Sequence, residues 1–196
     1  MDTRHERRKH RTRQKLLDAA LQIIDTSDYN EIGVLDITEA ADVSKGTFYQ
    51  HFRDKDELTQ TLIVKGFEAL RDRLKATLPA QRDPEAVREA LRVVYQYASE
   101  QRKLFRLMLG QQAPPALNLL AFDYFAAVIE EIMNRDPSIF HFVPPYTPEI
   151  IAQFAAGACV RLGLWWLNQD DMLTSDEMAE ITFRLLLRGI DFEGEA

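Results

Sequence analysis

Lys45, Thr47, Tyr49, Gln50 and His51 fall within seven consecutive residues. Together they are donors suited to base edges and phosphate oxygens. A lysine reaches guanine O6 or N7, and a threonine pairs with a base or touches a thymine methyl. Tyrosine and histidine donate to phosphates, and Lys55, at the start of the following helix, can do the same. Gly46 has no side chain and lets a helix start come close to a duplex.

Such a set works only on a rigid support. Residues 34–58 read as two short helices separated by a tight turn, with a third beginning just after them. Phe48 and Phe52 are four apart and share a face, as do Ile37 and Ala41, so these four form the small core of the unit. Lys45, Thr47, Tyr49 and His51 are left on the outer surface. This is a helix-turn-helix, whose second helix is shaped for a DNA major groove. The bland alternative is a helical hairpin with solvated polar residues. It leaves two core aromatics and an exposed tyrosine in one short helix without a reason.

The rest of the chain is helical by its periodicity. Leu17, Ala20, Leu21 and Ile24 mark a first helix, with Thr12 as its predicted N-cap and an end near Thr26, in the Ser27–Asn30 turn. Leu35–Ala41 is the second helix. Ser44 caps the third, from Lys45 to about Phe52. Asp54 and Glu57 are spaced as a capping box for a fourth helix, which Pro79 ends. Asp83-Pro84-Glu85 opens a fifth, running to about Tyr97. Further helices are expected over 104–109, 117–134, 148–167 (opened by Thr147-Pro148) and 175–188 (boxed by Thr174 and Glu177), with breaks over 110–115 and 136–146. The expected fold is all-α, with about nine helices and no strands.

Charge is unevenly spread. The net charge is −7, which looks wrong for a DNA binder. Yet residues 1–15 carry seven cations (Arg4, Arg7, Arg8, Lys9, Arg11, Arg13, Lys15) against Asp2 and Glu6, a net of +5. A basic head on an acidic body is compatible with DNA, because phosphate binding depends on the local field. The head is either a flexible solvated tail or an arm following the DNA backbone or minor groove. No secretory signal and no apolar run long enough for a bilayer is expected. The single cysteine, Cys159, excludes an internal disulfide and fits a reducing cytoplasm.

Thr12-Arg13, Leu17, Ala20, the run Ile37-Thr38-Glu39-Ala40-Ala41-Asp42-Val43-Ser44-Lys45-Gly46-Thr47-Phe48-Tyr49-Gln50-His51-Phe52 and Lys55-Asp56-Glu57-Leu58 resemble the N-terminal domain of the tetracycline-repressor (TetR) family. The close match covers about residues 12–60. It implies a repressor with a helix-turn-helix DNA-binding domain over residues 1–55. A helical ligand-binding and dimerisation domain would follow over 56–196, pairing through its last two helices. By position, Lys45, Gly46, Thr47 and Tyr49 correspond to the family's base-facing or groove-facing sites. His51 and Lys55 correspond to its phosphate contacts, with Gln50 near the backbone. Three departures stand out. Asp42 replaces the turn glycine and must tolerate a left-handed backbone. Gly33 and Leu35 replace polar residues of the second helix. Asp28 replaces the glycine before Tyr29.

The C-terminal region is rich in aromatic residues. Phe67, Tyr95, Phe105, Met108, Phe122, Phe125 and Trp165 are the candidate lining of a pocket for a small apolar or aromatic effector. Each is also a candidate for plain core packing. Arg161, in an otherwise apolar helix, is read as a salt-bridge partner. Ala155, Ala156, Gly157, Ala158 and Gly163 permit close helix approach, and Phe154, Leu162, Leu185 and Leu186 supply apolar surface, for a four-helix bundle with a two-fold mate.

No catalytic constellation is present. His5, His10, His51 and His141 are scattered, and there is no Gly-rich phosphate loop or zinc spacing. Neither an enzyme, a metal nor a cofactor is expected. Cys159 reads as a small buried residue. The expected function is a cytoplasmic, dimeric, ligand-responsive repressor on a palindromic operator of double-stranded DNA. A non-specific DNA binder, or a helical carrier or enzyme with a vestigial helix-turn-helix, remains an alternative on the residues alone.

Overall fold

The protein is described by a computed structural model over residues 3–24, 26–27, 29–77, 84–109, 115–135, 146–169 and 173–188. Among these residues there are nine helices and no strand: α1 (Arg4–Ile24), α2 (Val34–Ala40), α3 (Lys45–Tyr49), α4 (Lys55–Thr77), α5 (Pro84–Glu100), α6 (Arg102–Leu109), α7 (Pro115–Arg135), α8 (Pro148–Leu167) and α9 (Ser175–Arg188).

Local chemistry fixes most of the helix starts. Thr47 N donates to Ser44 Oγ at 3.1 Å to cap α3, and Ile150 N donates to Thr147 Oγ1 at 3.3 Å at the head of α8. At α9 the box closes both ways: Thr174 N donates to Glu177 Oε2 and Glu177 N to Thr174 Oγ1. At α4 it closes one residue off register. Glu57 N donates to Asp54 Oδ1, while the Glu57 carboxylate accepts from Arg53 N. Asp83, expected to cap α5, lies outside the described residues, as do Asp28 and the break segments 110–114 and 136–145.

One cap differs from expectation. Thr12 does not start α1. It sits inside the helix, with its hydroxyl donating to the Arg8 carbonyl. The helix begins two turns earlier, where Thr3 and Glu6 form a capping box (2.6 and 3.2 Å). The basic head is therefore helical from Arg4 onward. In the other direction α3 is shorter than its periodicity, ending at Tyr49.

α1, α2, α3 and the start of α4 enclose one small core, built from Leu16, Leu17, Ala20, Ile37, Ala41, Phe48, Phe52 and Leu58. α4 carries on into the second half. There α5 lies along α9, α7 along α8, and α6 touches α1, α4, α7 and α8. Gly66 allows the α4–α6 approach, because a Cβ there would run into the Leu104 side chain. Tyr97 Oη donates to the Gly66 carbonyl at 3.0 Å from α5. Arg102 and Arg106 of α6 both donate to the Leu167 carbonyl, at 2.7 Å each through NH2, and so cap the C-terminus of α8.

Contrary to the sequence reading, α8 is long and apolar enough by composition to cross a bilayer, with a mean hydropathy of 1.5. In this fold Ala152, Ala156, Val160, Gly163, Trp166 and Leu167 are buried, while Ile150, Phe154 and Trp165 are exposed.

Candidate nucleic-acid interface and apolar core

The turn between α2 and α3 carries the left-handed residue that the sequence required: Asp42 has φ 52°. Val43 N donates to the Thr38 carbonyl at 3.0 Å, closing α2 behind it. Asp36 accepts from Gly33 N at 2.7 Å at the other end of the same helix.

On this support α3 divides cleanly. Phe48 is fully buried, while Tyr49 next to it is 58 % exposed and packs edge-on against the Phe48 ring at 5.4 Å. Lys45, Gly46 and Gln50 are exposed and Thr47 is half-buried. Thr47 Oγ1 lies 2.9 Å from Ser44 Oγ, so part of its hydrogen-bonding capacity is used locally. A Cβ on Gly46 would meet only Ser44 Oγ, at an ordinary 3.7 Å. The bare backbone there is required by nothing inside the chain, as a surface kept clear for an outside partner would be.

His51 and Lys55 sit differently from the first group. The His51 carbonyl accepts from Arg13 NH1 at 2.8 Å, and its Nδ1 is buried without a hydrogen-bond partner. Burial, and then the positive charges of Arg13 and Lys9, lower its pKa below the ordinary 6.5. Lys55 was expected to reach phosphate. Its ammonium is instead turned inward, donating to the Tyr29 and Ile32 carbonyls at 2.6 and 2.9 Å and lying 4.1 Å over the Tyr29 ring. Two of the three ammonium donors are spent on these carbonyls. The main work of Lys55 is to fasten the α1–α2 connection to α4, a role its spacing does not reveal. Tyr29 completes this junction by donating to Asp56 Oδ1 at 2.7 Å.

The pocket candidates separate into two groups. Phe67, Tyr95, Phe105, Met108 and Phe125 are buried together in the second half. Phe67 stacks on Tyr124 at 4.2 Å and meets Phe125 edge-on at 5.5 Å. Tyr95 Oη lies 2.7 Å from Thr182 Oγ1, and its ring is edge-on to Trp166. Phe122 and Trp165 do not join them, being 37 % and 41 % exposed. Neighbouring positions on a helix point about 100° apart, so Trp166 is the inward tryptophan and Tyr124 meets the Phe67 ring. Arg71, one turn on from Phe67 in α4, was also missed. Its Nε is buried and has no hydrogen-bond partner, and its charge is felt at Tyr124.

α8 and α9 expose an apolar stripe of Ile150, Phe154, Trp165, Ile181 and Leu185, with Phe154 66 % exposed. A Cβ on Gly157 would meet nothing within 4 Å. Arg161 lies on the same side of α8 and has no ion-pair partner among the described residues. Of the small residues expected to permit close helix approach, Ala156 is buried within its own domain, while a Cβ on Gly163, as on Gly157, would meet nothing within 4 Å. Cys159 is half-buried overall, and burial pushes its thiol up to about 12. No group of three metal-ligating side chains occurs among the described residues.

Residues 16–62 match the model of bacterial regulatory proteins of the tetR family, and residues 85–188 match that of a transcriptional regulator C-terminal region. Among curated relatives, the uncharacterized HTH-type transcriptional regulator YxbF of Bacillus subtilis is 37 % identical over 35 % of this chain, spanning only 18 % of that protein. The HTH-type transcriptional regulator AlkX of Mycobacterium tuberculosis is 25 % identical over 86 % of this chain and 81 % of its own. The fold is that of the fatty acid degradation regulator FadR from Bacillus halodurans (TM-score 0.78, 19 % identity, 91 % and 96 % of the two chains). It is shared by FadR of Bacillus subtilis, solved in complex with stearoyl-CoA (TM-score 0.73, 16 % identity, 91 % and 99 %).

Proposed function

The chain belongs to the tetR family of bacterial regulatory proteins, and from that premise we propose that it is a dimeric repressor released from a pseudo-palindromic operator by an apolar effector. It is a ligand-responsive DNA-binding transcriptional regulator and not an enzyme, as its relatives are. The observation that carries the finer reading is the surface of α3. An exposed Tyr49, Lys45 and Gln50 surround a glycine that the chain itself does not need. Lys45, Gly46, Thr47 and Tyr49 are assigned to the groove, and Gln50, His51 and the remaining donor of Lys55 to phosphate.

DNA reading belongs to residues 1–55 and effector binding and dimerisation to residues 56–196, with α4 as the element shared between them. The exposed stripe of α8 and α9 is assigned to the dimer. Two-fold pairing there sets the reading helices about one turn of B-form DNA apart or slightly more. Such a regulator acts on DNA in the cytoplasm.

The effector is assigned to the interior formed by Phe67, Tyr95, Phe105, Met108 and Phe125. The five are apolar or aromatic, and Arg71 is the nearby cation. An amphiphile with an apolar chain and an anionic head suits that pairing, and the FadR complex with stearoyl-CoA supports it by analogy of fold. To empty an operator the effector must favour the released state by about 5 kcal/mol. Tyr95 is tied to Thr182 of α9 and Phe67 belongs to α4, so an effector held among them would bear on the last helix and on the connector to the head.

Binding to DNA from upstream of the protein's own gene tests the reading, with acyl-CoA thioesters, free fatty acids and uncharged aromatics added in turn. Release by an amphiphile, weakened by Arg71→Ala, supports it. An operator complex indifferent to every apolar compound contradicts the effector assignment.

A further inference from the structure

The N-terminal turns of α1 are not used by the reading head, and their chemistry is concentrated. Arg4, Arg8, Arg11 and Lys15 recur at spacings of four, three and four, which puts them on one helical face, with Arg7 beside it. All five are exposed, and none is in an ion pair among the described residues. The acids of this helix are occupied elsewhere. Glu6 closes the cap with Thr3, and Asp18 accepts from Gln14 at 2.8 Å.

Two features make this a poor arrangement for a helix that meets only water. Cations near a helix N-terminus oppose the macrodipole, and like charges four apart repel. Nevertheless the helix is capped by Thr3 and held in place at Arg13. That guanidinium donates to the His51 carbonyl at 2.8 Å and to Thr61 Oγ1 at 3.3 Å, over the Phe52 ring. The extension is therefore rigidly joined to the C-terminal end of α3. Lys9, one turn before Arg13, is close enough for His51 to feel its charge.

We propose that the Arg4–Lys15 face of α1 is a second, sequence-independent DNA-contact surface that grips backbone phosphates flanking the half-site read by α3. The inference rests on the DNA-binding reading above. The stripe spans about 16 Å, enough for about two or three successive phosphates of one strand, whose spacing along the winding backbone is roughly twice the ~3.4 Å axial rise. Its partner is a phosphate backbone and not base edges, because exposed arginines one turn apart on an unbroken helix present a line of charge with no shaped recess.

The test compares the full-length protein with its Arg4→Gln/Arg8→Gln/Arg11→Gln variant. Affinity for the operator fragment and for random duplex is measured from 50 to 300 mM salt. Circular dichroism of the variant checks that the helix persists. Loss of phosphate contacts flattens the log affinity–log salt slope by about 0.9 per contact, roughly 2 to 3 per protomer. Affinity falls at least tenfold near 150 mM salt on both duplexes, so the ratio between them is kept. An unchanged slope overturns the proposal, as does a loss confined to the operator. The outcome is separable from the DNA-reading claim. A wild-type protein that discriminates operator from random DNA keeps that claim whatever the variant does. A wild-type protein that binds no DNA removes both.

Discussion

Arg13 and His51, 38 residues apart, are joined by a 2.8 Å hydrogen bond from the Arg13 guanidinium to the His51 carbonyl. The contact caps the end of the reading helix with a charge from α1, and the same guanidinium lies 4.2 Å over Phe52. Arg13→Ala removes a charge-assisted bond to a partly buried carbonyl and a cation–π contact. It should cost about 1–2 kcal/mol of stability, read by chemical denaturation, and should weaken DNA binding at the same time. Arg13→Lys recovers only part, because one ammonium cannot serve the His51 carbonyl, Thr61 and the Phe52 face together.

His51 gives the interface a pH dependence of defined sign. Free protein holds this imidazole below the ordinary 6.5 through burial and the nearby Arg13 and Lys9 charges. On the phosphate assignment proposed above, a DNA phosphate beside it would raise the pKa, so binding would take up a proton. Affinity should therefore strengthen as pH falls through the region around and below 6.5 and flatten above it. Binding isotherms from pH 5.5 to 8 check this, and His51→Gln should remove that component. An equal slope in the variant would assign the effect to other groups.

Gly66 of α4 lies against the Leu104 side chain of α6. Gly66→Ala should destabilise by about 1–3 kcal/mol through overpacking against Leu104. The Gly66→Ala/Leu104→Ala pair should lose less than the sum of the single changes, since Leu104→Ala makes the room that the new methyl needs. Urea unfolding of the four proteins measures it, and strict additivity would deny the contact.

Phe154, at 66 % exposure, is the most open large apolar side chain of α8. Phe154→Arg should convert the dimer to monomer in sedimentation and, by removing one of two linked reading heads, reduce operator affinity a hundredfold or more. A variant that stays dimeric would move the interface away from this stripe.

Cys159 should be inert in the native state. Its thiol is pushed up to about 12 by burial, so at pH 8 almost none is thiolate. A disulfide reagent should label it only after unfolding, with no change in DNA binding before that.

Much of this was legible in the sequence because it depends on local chemistry. Ser44, Thr147 and the Thr174–Glu177 pair each announce a helix start through a side chain that reaches its own backbone. The left-handed Asp42 follows from the turn that it occupies. Helix phase was less legible. Trp165 and Phe122 were read as lining, yet face outward, while Trp166 and Tyr124 point in. In α8 the buried Ala152, Ala156 and Val160 set the inward line, and Trp166 falls on its continuation. Thr12 was mistaken for a cap because a threonine inside a helix can satisfy itself on the carbonyl four residues back. Lys55 could not be read at all from spacing, since its partners are carbonyls 23 and 26 residues away.

The central claim is that α3 reads sequence. The most direct measurement is binding and footprinting of the purified protein on DNA from upstream of its own gene, at about 150 mM salt with excess random competitor to suppress non-specific attraction. Wild-type and Thr47→Ala/Tyr49→Ala proteins are compared. The account predicts a protected pseudo-palindrome for wild type and, for the variant, a loss of operator preference with affinity for random DNA kept. Wild-type binding no tighter to any upstream sequence than to random duplex would contradict it.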